Sequence, residues 1–84
     1  MTYDSDYESE EALELDLEML REDLIGELQA INQYQEHIDT IGDEEAIEVL
    51  EHIRDDEKEH VAELTTLIQK LDATQAKKFK KEEL

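Results

Sequence analysis

The sequence predicts an all-α protein, an antiparallel two-helix hairpin that pairs with a second copy of itself to form a four-helix bundle. Three observations support this prediction. The chain of 84 residues has no Pro and two Gly, and it is rich in Glu, Leu, Ile, Lys and Gln, which favour helix over strand. Apolar residues recur at steps of three and four along two long segments. Only Gly42 and Asp43 interrupt that pattern between the two segments.

The first segment is preceded by residues 1–11, which are acidic, polar and without periodicity, so we expect a flexible tail. A helix is expected from about residue 12 to residue 41. Two members of its stripe are polar, Glu27 and Tyr34. The full stripe is Leu13, Leu17, Leu20, Leu24, Glu27, Ile31, Tyr34, Ile38 and Ile41.

Gly42 follows the last stripe residue and is expected to end the helix in the left-handed conformation. Asp43 is expected to cap a second helix over residues 44–71, and so short a connection makes the two helices antiparallel. Ile47, Val61 and Ile68 widen the apolar face of this second helix. Its stripe is Ala46, Leu50, Ile53, Glu57, His60, Leu64, Leu67 and Leu71.

Residues 12–71 therefore form the predicted functional domain, and residues 72–84 form a basic C-terminal helix or tail. Four of the eight basic residues lie within residues 77–84. Phe79 and Leu84 are the candidate anchors of this segment.

The net charge of −18 argues against nucleic acid as a partner, because phosphate binding needs clustered Lys and Arg. Acidity of this degree attracts divalent cations, although it also serves solubility alone. The chain has no Cys, which excludes disulfides and thiolate metal sites. Its apolar runs are too short to span a membrane, and its start does not resemble a signal peptide. We therefore expect a soluble cytoplasmic protein.

The polar stripe residues lie at matched depth in the predicted hairpin. Glu27 lies 15 residues before Gly42, and Glu57 lies 15 residues after it. At ~1.5 Å per residue, both are roughly 22 Å from the turn, and His60 is one helical turn from Glu57 on the same face. A buried unpaired carboxylate is costly and two at one level repel each other, so a cation between them is predicted.

One hairpin supplies two carboxylates and one imidazole, and it leaves its apolar stripes uncovered. Two copies related by a two-fold axis would form a four-helix bundle with four Glu and two His at its centre. Di-iron and di-manganese bundles have that ligand inventory. Ligands without sulfur suit iron or manganese, and zinc or calcium are the other ions to be expected there. With iron, O2 would take an electron from each Fe(II), which is ferroxidase activity.

The segments ELQAINQY (residues 27–34) and RDDEKEHV (residues 54–61) resemble the encapsulated ferritins, small members of the ferritin-like and rubrerythrin-like superfamily. The resemblance covers roughly residues 23–71. It implies a ferroxidase that is active only when two hairpins meet, with dimers gathered into a decameric ring. It also implies a place inside an encapsulin shell, a cytoplasmic nanocompartment that stores the oxidised iron.

The resemblance places the metal ligands on Glu27, Glu57 and His60, and a site-proximal tyrosine on Tyr34. Its members carry acidic residues that guide incoming metal where this chain has Gly26 and Gln29.

Further departures are Gln33, where its members have an aromatic residue, and the ending KKFKKEEL, which differs from the short apolar-basic tail that docks such cargo to a shell. Asp56 and Glu59 are the remaining candidates for guiding metal.

Several residues have two interpretations. Tyr34 is either a core residue whose hydroxyl finds a partner or a group near the metal, as a hydrogen-bond donor to a ligand or an electron donor. Arg54 either pairs with an acid across the dimer or lies in solvent. We expect His37 and His52 to lie at the surface.

Two other functions are compatible with the sequence. The first is a metal-binding module that holds zinc or manganese without turnover. The second is a structural pairing module in which the polar stripe residues only set the helix register.

Overall fold

The computed structural model describes residues 9–84 and contains three α-helices there, with no strand in that range. They are α1 (Glu10–Thr40), α2 (Glu44–Leu71) and α3 (Ala73–Lys81). The all-α class is therefore confirmed for these residues. Most of the expected acidic tail, residues 1–8, lies outside the described residues. None of the described helices combines the length and the apolar character needed to cross a membrane.

Helix α1 begins two residues earlier than expected because Ser9 caps it. The Ser9 hydroxyl oxygen accepts a hydrogen bond from the backbone N–H of Ala12 at 3.1 Å. Glu10 and Glu11 therefore lie in the first helical turn, where carboxylates are favoured by the helix dipole. These two residues were assigned to the tail, and that assignment is wrong.

The connection between α1 and α2 ends the first helix by a different mechanism from the one predicted. Ile41 adopts an extended conformation, and its N–H donates to the carbonyl oxygen of His37 at 2.8 Å. Gly42 does not adopt a positive φ, so the left-handed stop predicted there is wrong. Asp43 caps α2 as predicted, since its side chain accepts from the N–H of Ala46 at 2.9 Å.

Residues 73–81 form a separate short helix rather than an extension of α2. Asp72 ends α2 with a non-helical backbone (φ −115°, ψ 98°) and caps α3, because its side chain accepts from the N–H of Gln75 at 3.0 Å. The other carboxylate oxygen of Asp72 accepts from Arg21 Nη2 on α1, also at 3.0 Å. Asp72 thus links all three helices.

The apolar core lies where the start of α1 meets the end of α2. Among the described residues, four apolar side chains are buried: Leu13, Leu17, Ile68 and Leu71. One member of the predicted α2 stripe is wrong. Ile68, which was assigned to the edge, is 4% exposed, whereas the stripe residue Leu67 is 40% exposed. Leu20 and Leu24 of α1 pack against this buried cluster, and Phe79 of α3 lines a small cavity together with Ile68. So small a core makes a lone chain marginally stable.

Contacts between α1 and α2 run in opposite order along the two helices. From the start of α1 onward, Arg21 bonds to Asp72, Glu27 meets His60, and Gln35 bonds to Arg54. The shortest overall extent of the molecule is 15 Å, close to the ~10–12 Å diameter of one helix with its side chains. Within residues 9–84 the helices therefore form a single layer, and each broad side of that layer is open.

Candidate metal centre

Three side chains from both long helices converge at one level of the layer. His60 Nδ1 on α2 lies 3.5 Å from Glu27 Oε2 on α1 and 3.6 Å from Glu57 Oε2. One donor atom from each residue lies within 4.8 Å of the other two. Two donors bonded to one ion at about 2.1 Å lie no more than about 4.2 Å apart, so both distances to His60 already fit a shared cation.

The electrostatics of the cluster favour a cation. Glu27 Oε2 is buried and has no hydrogen-bond partner among the described residues, and its 3.5 Å distance to His60 exceeds hydrogen-bonding range. Leaving such an oxygen unsatisfied costs about 1–3 kcal/mol. A second carboxylate, that of Glu57, faces the same imidazole nitrogen. A cation bound here would satisfy the buried oxygen and offset the repulsion between the two acids.

The cluster opens onto one broad side of the helix layer. The side chain of Glu57 is 18% exposed, that of Glu27 is 26% exposed and that of His60 is 48% exposed, so access is from the imidazole side. An open groove of about 680 Å³ lies over the cluster. Its walls are formed by Glu22, Asp23, Gly26, Glu27, Ala30, Glu57, His60, Glu63 and Leu64.

Exposed apolar residues flank the groove at both ends. Met19 lies seven residues before Gly26, Leu67 lies seven after His60, and Val49 lies eleven before His60. Each of these spacings keeps two residues within about 20° on a helix. All three apolar side chains are exposed. We call the surface formed by Met19, Gly26, Val49, His60 and Leu67 the groove face. Its composition is typical of a surface that a partner covers.

Comparison with known proteins identifies the family. The EncFtn-like family model matches residues 2–83. The chain belongs to the EncFtn-like family. This match confirms the family resemblance predicted from the segments that carry Glu27, Glu57 and His60.

A curated relative of this EncFtn-like chain is the encapsulin nanocompartment cargo protein EncC of Myxococcus xanthus (strain DK1622). The two are 44% identical over 57 residues, which is 68% of this chain and 44% of the relative. The EncFtn-like chain therefore spans less than half the length of that relative. No solved structure matches the chain.

Three acidic residues of the EncFtn-like groove were not anticipated from the sequence: Glu22, Asp23 and Glu63. Asp23 lies four residues before Glu27, and Glu63 lies three after His60, spacings that place them on the same helix faces as Glu27 and His60. With 26 acidic residues in the chain, that spacing alone did not distinguish them. Their charge adds to the attraction of the groove for divalent cations.

Tyr34 is not part of the three-residue cluster. It is half-buried on α1, and it lies seven residues, or about 10 Å along the helix axis, beyond Glu27. It is absent from the groove lining, which lies wholly within the described residues. The role of Tyr34 near a metal thus stays a prediction.

The other two histidines lie at the surface, as expected. His37 is exposed, and His52 Nε2 lies 3.3 Å from Asp56 Oδ2 with both side chains exposed. Asp56 and Glu59, the predicted guides for incoming metal, do not line the groove.

Arg54 connects the two long helices of the EncFtn-like chain. Its Nη1 donates to Gln35 Oε1 at 2.9 Å, and its Nε and Nη2 both donate to Asp55 Oδ1 at 3.1 Å. Its side chain is 18% exposed. The alternative in which Arg54 lies in solvent is therefore wrong, because three donors of the guanidinium bond within the chain.

Proposed function

We propose that this EncFtn-like chain is a ferroxidase that oxidises its substrate, Fe(II), to Fe(III) with O2 at a site completed by two copies of the chain. The observation that supports this most strongly is the convergence of Glu27, Glu57 and His60, with one carboxylate oxygen buried and unsatisfied. Two carboxylates and an imidazole without sulfur suit iron.

The need for a second copy follows from what one chain lacks. The antiparallel pair of α1 and α2 is one layer thick, and a helical layer must bury its apolar side against another layer. The groove face carries exposed Met19, Val49 and Leu67 around the cluster. A second hairpin laid on that face would bury these residues and form a four-helix bundle. It would also bring a second Glu27, Glu57 and His60 to the same place, the ligand set of di-iron bundles.

The proposed reaction needs no other reductant or oxidant. Each of two Fe(II) ions loses one electron, and O2 accepts both electrons with two protons to give hydrogen peroxide. The carboxylates of Glu27 and Glu57 favour this direction, because anionic ligands stabilise the more highly charged Fe(III) more than Fe(II).

We further infer that the oxidised iron is stored inside an encapsulin compartment in the cytoplasm. This rests on the relative that is named an encapsulin nanocompartment cargo protein and on membership of the EncFtn-like family. A decameric ring of five dimers is the assembly we propose for that setting.

The test is oxygen consumption after aerobic addition of Fe(II), with matched pairs of variants. His60→Ala should reduce Fe(II) oxidation to the rate of protein-free buffer, whereas His52→Ala, which changes an exposed histidine outside the cluster, should keep the parent rate. Glu57→Gln should likewise abolish the protein-dependent oxidation. Glu59→Gln, which changes an exposed carboxylate outside the groove lining, should keep the parent rate.

If the parent protein bound Zn(II) or Mn(II) but consumed no O2 with Fe(II), the non-catalytic metal-binding module would replace this proposal. If it bound no metal and its oligomeric state ignored metal, the structural pairing module would replace it.

A further inference from the structure

The two arginines of the chain each join segments that are distant in sequence. Arg21 Nη2 on α1 donates to Asp72, 51 residues away, and Arg54 Nη1 on α2 donates to Gln35, 19 residues away. Arg21 is 46% exposed, whereas Arg54 is 18% exposed. Because solvent and salt screen a pair whose arginine is exposed, the Arg54–Gln35 hydrogen bond is the better shielded of these two links.

The Arg54–Gln35 bond belongs to a longer chain of polar contacts, which we call the register bridge: Asp39, Gln35, Arg54 and Asp55. Gln35 Nε2 donates to Asp39 Oδ1 at 3.0 Å, which fixes the orientation of the amide and turns Gln35 Oε1 toward Arg54. Asp55 Oδ1 accepts from two guanidinium nitrogens and fixes the plane of the arginine. The geometry of the bond between the helices is thus set from both sides.

The register bridge lies next to the metal-binding cluster. Arg54 is three residues, or one helical turn, before Glu57, and Gln35 is eight residues after Glu27. A slip of one residue between the helices would move a ligand by ~1.5 Å and rotate it by about 100°. The distances of 3.5 and 3.6 Å to His60 would not survive that change. Stripes of Leu and Ile alone do not forbid the slip, since polar residues are what specify helix register.

We propose that Arg54 and Gln35 are positioning residues whose hydrogen bond sets the register at which Glu27 meets Glu57 and His60. The inference rests on the proposed function, because it treats those three residues as metal ligands. Neither Arg54 nor Gln35 lines the groove, so both act through α1 and α2 rather than by contact with substrate.

The test is an anaerobic titration of the full chain with Co(II), followed by the visible absorption of the bound ion. Co(II) reports ligand geometry and does not depend on turnover. Arg54→Met and Gln35→Leu should each weaken Co(II) binding about tenfold, as loss of supporting partners does at other metal sites, and should alter the absorption bands. The exchanged pair Arg54→Gln with Gln35→Arg restores a donor and an acceptor across the helices and should recover most of the affinity. Arg21→Met is the matched control and should leave Co(II) binding unchanged.

Each outcome discriminates between the two proposals. If the parent chain binds no Co(II), both proposals fail. If the parent binds Co(II) and Arg54→Met has the same affinity and spectrum, only the positioning role fails. That role also fails if Arg21→Met and Arg54→Met weaken binding equally, or if the exchanged pair binds no better than Arg54→Met. Circular dichroism of every variant identifies any that does not fold, and Gln35→Leu then replaces Arg54→Met in the comparison.

Discussion

His60 Nδ1 lies 3.5 Å from Glu27 Oε2, although the two residues belong to different helices and are 33 positions apart in the sequence. The contact exists only because α1 and α2 pack at one particular register. The candidate site is therefore a product of helix packing, and its chemistry and the stability of the fold are linked.

Removing the charge of Glu27 should have opposite effects on stability and on metal binding. Glu27→Gln removes a buried, unsatisfied anionic oxygen that faces a second carboxylate, so we expect the metal-free protein to gain about 1 kcal/mol in free energy of unfolding. The same change removes a ligand charge and should weaken Co(II) binding at least about tenfold. Urea unfolding in the presence of a chelator and a Co(II) titration measure the two effects. A loss of stability in the metal-free Glu27→Gln protein would show that the carboxylate is already satisfied without metal.

Metal should promote association of the chain, because each copy holds half of the proposed ligand set and binding to the paired form stabilises it by mass action. Sedimentation velocity with Fe(II) under anaerobic conditions should show a larger species than in the presence of a chelator. His60→Ala should remove this dependence, whereas His52→Ala should retain it. If the mass distribution of the parent protein is the same with Fe(II) as with a chelator, metal-driven pairing is excluded.

Placing a charge on the groove face should prevent pairing but leave the single chain folded. Leu67→Lys changes a residue that is 40% exposed in one chain, so the helices of that chain should persist. Burying the ammonium group between two copies is costly, and we expect the dimer dissociation constant to rise at least about tenfold. Ile25→Lys is the control, because Ile25 is similarly exposed but does not lie on the groove face. Equal weakening by both variants would mean that the groove face is not the dimer interface.

Asp72 should contribute to stability without contributing to the metal site. Asp72→Ala removes the cap of α3 and the partner of Arg21, and loss of a helix cap costs about 1 kcal/mol. The thermal unfolding midpoint should fall, while Co(II) affinity stays at the parent value. Asp43→Ala, which removes the cap of α2, should have a similar thermal effect. A change in Co(II) affinity in Asp72→Ala would contradict this separation and would show that the Arg21–Asp72 pair also influences the site.

The sequence predicted the stripes and the convergence of Glu27, Glu57 and His60, because both depend on helical periodicity and on equal distances from one short turn. It did not predict the exchange of Leu67 for Ile68 in the core, since steps of three and four both fit a helical stripe, and only the packing of α1 against α2 selects Ile68 for the buried cluster. Nor did it predict the Arg54–Gln35 bond. Both residues lie off the apolar stripes, where periodicity carries no information on which polar side chains will meet.

The conformation of Gly42 illustrates a second limit. A glycine after the last stripe residue commonly takes the left-handed conformation, yet here Ile41 leaves the helix in an extended conformation and Gly42 has no positive φ. Several local backbone conformations can end a helix at the same residue. The sequence therefore located the turn but not its geometry.

The most direct test of the shared site is a crystal structure of the protein grown with iron, with anomalous diffraction recorded at the iron absorption edge. We predict iron peaks between two copies of the chain, each within bonding distance of Glu27, Glu57 and His60 side chains. Iron bound by a single chain, or ligand side chains that face solvent and do not converge across two copies, would contradict the account.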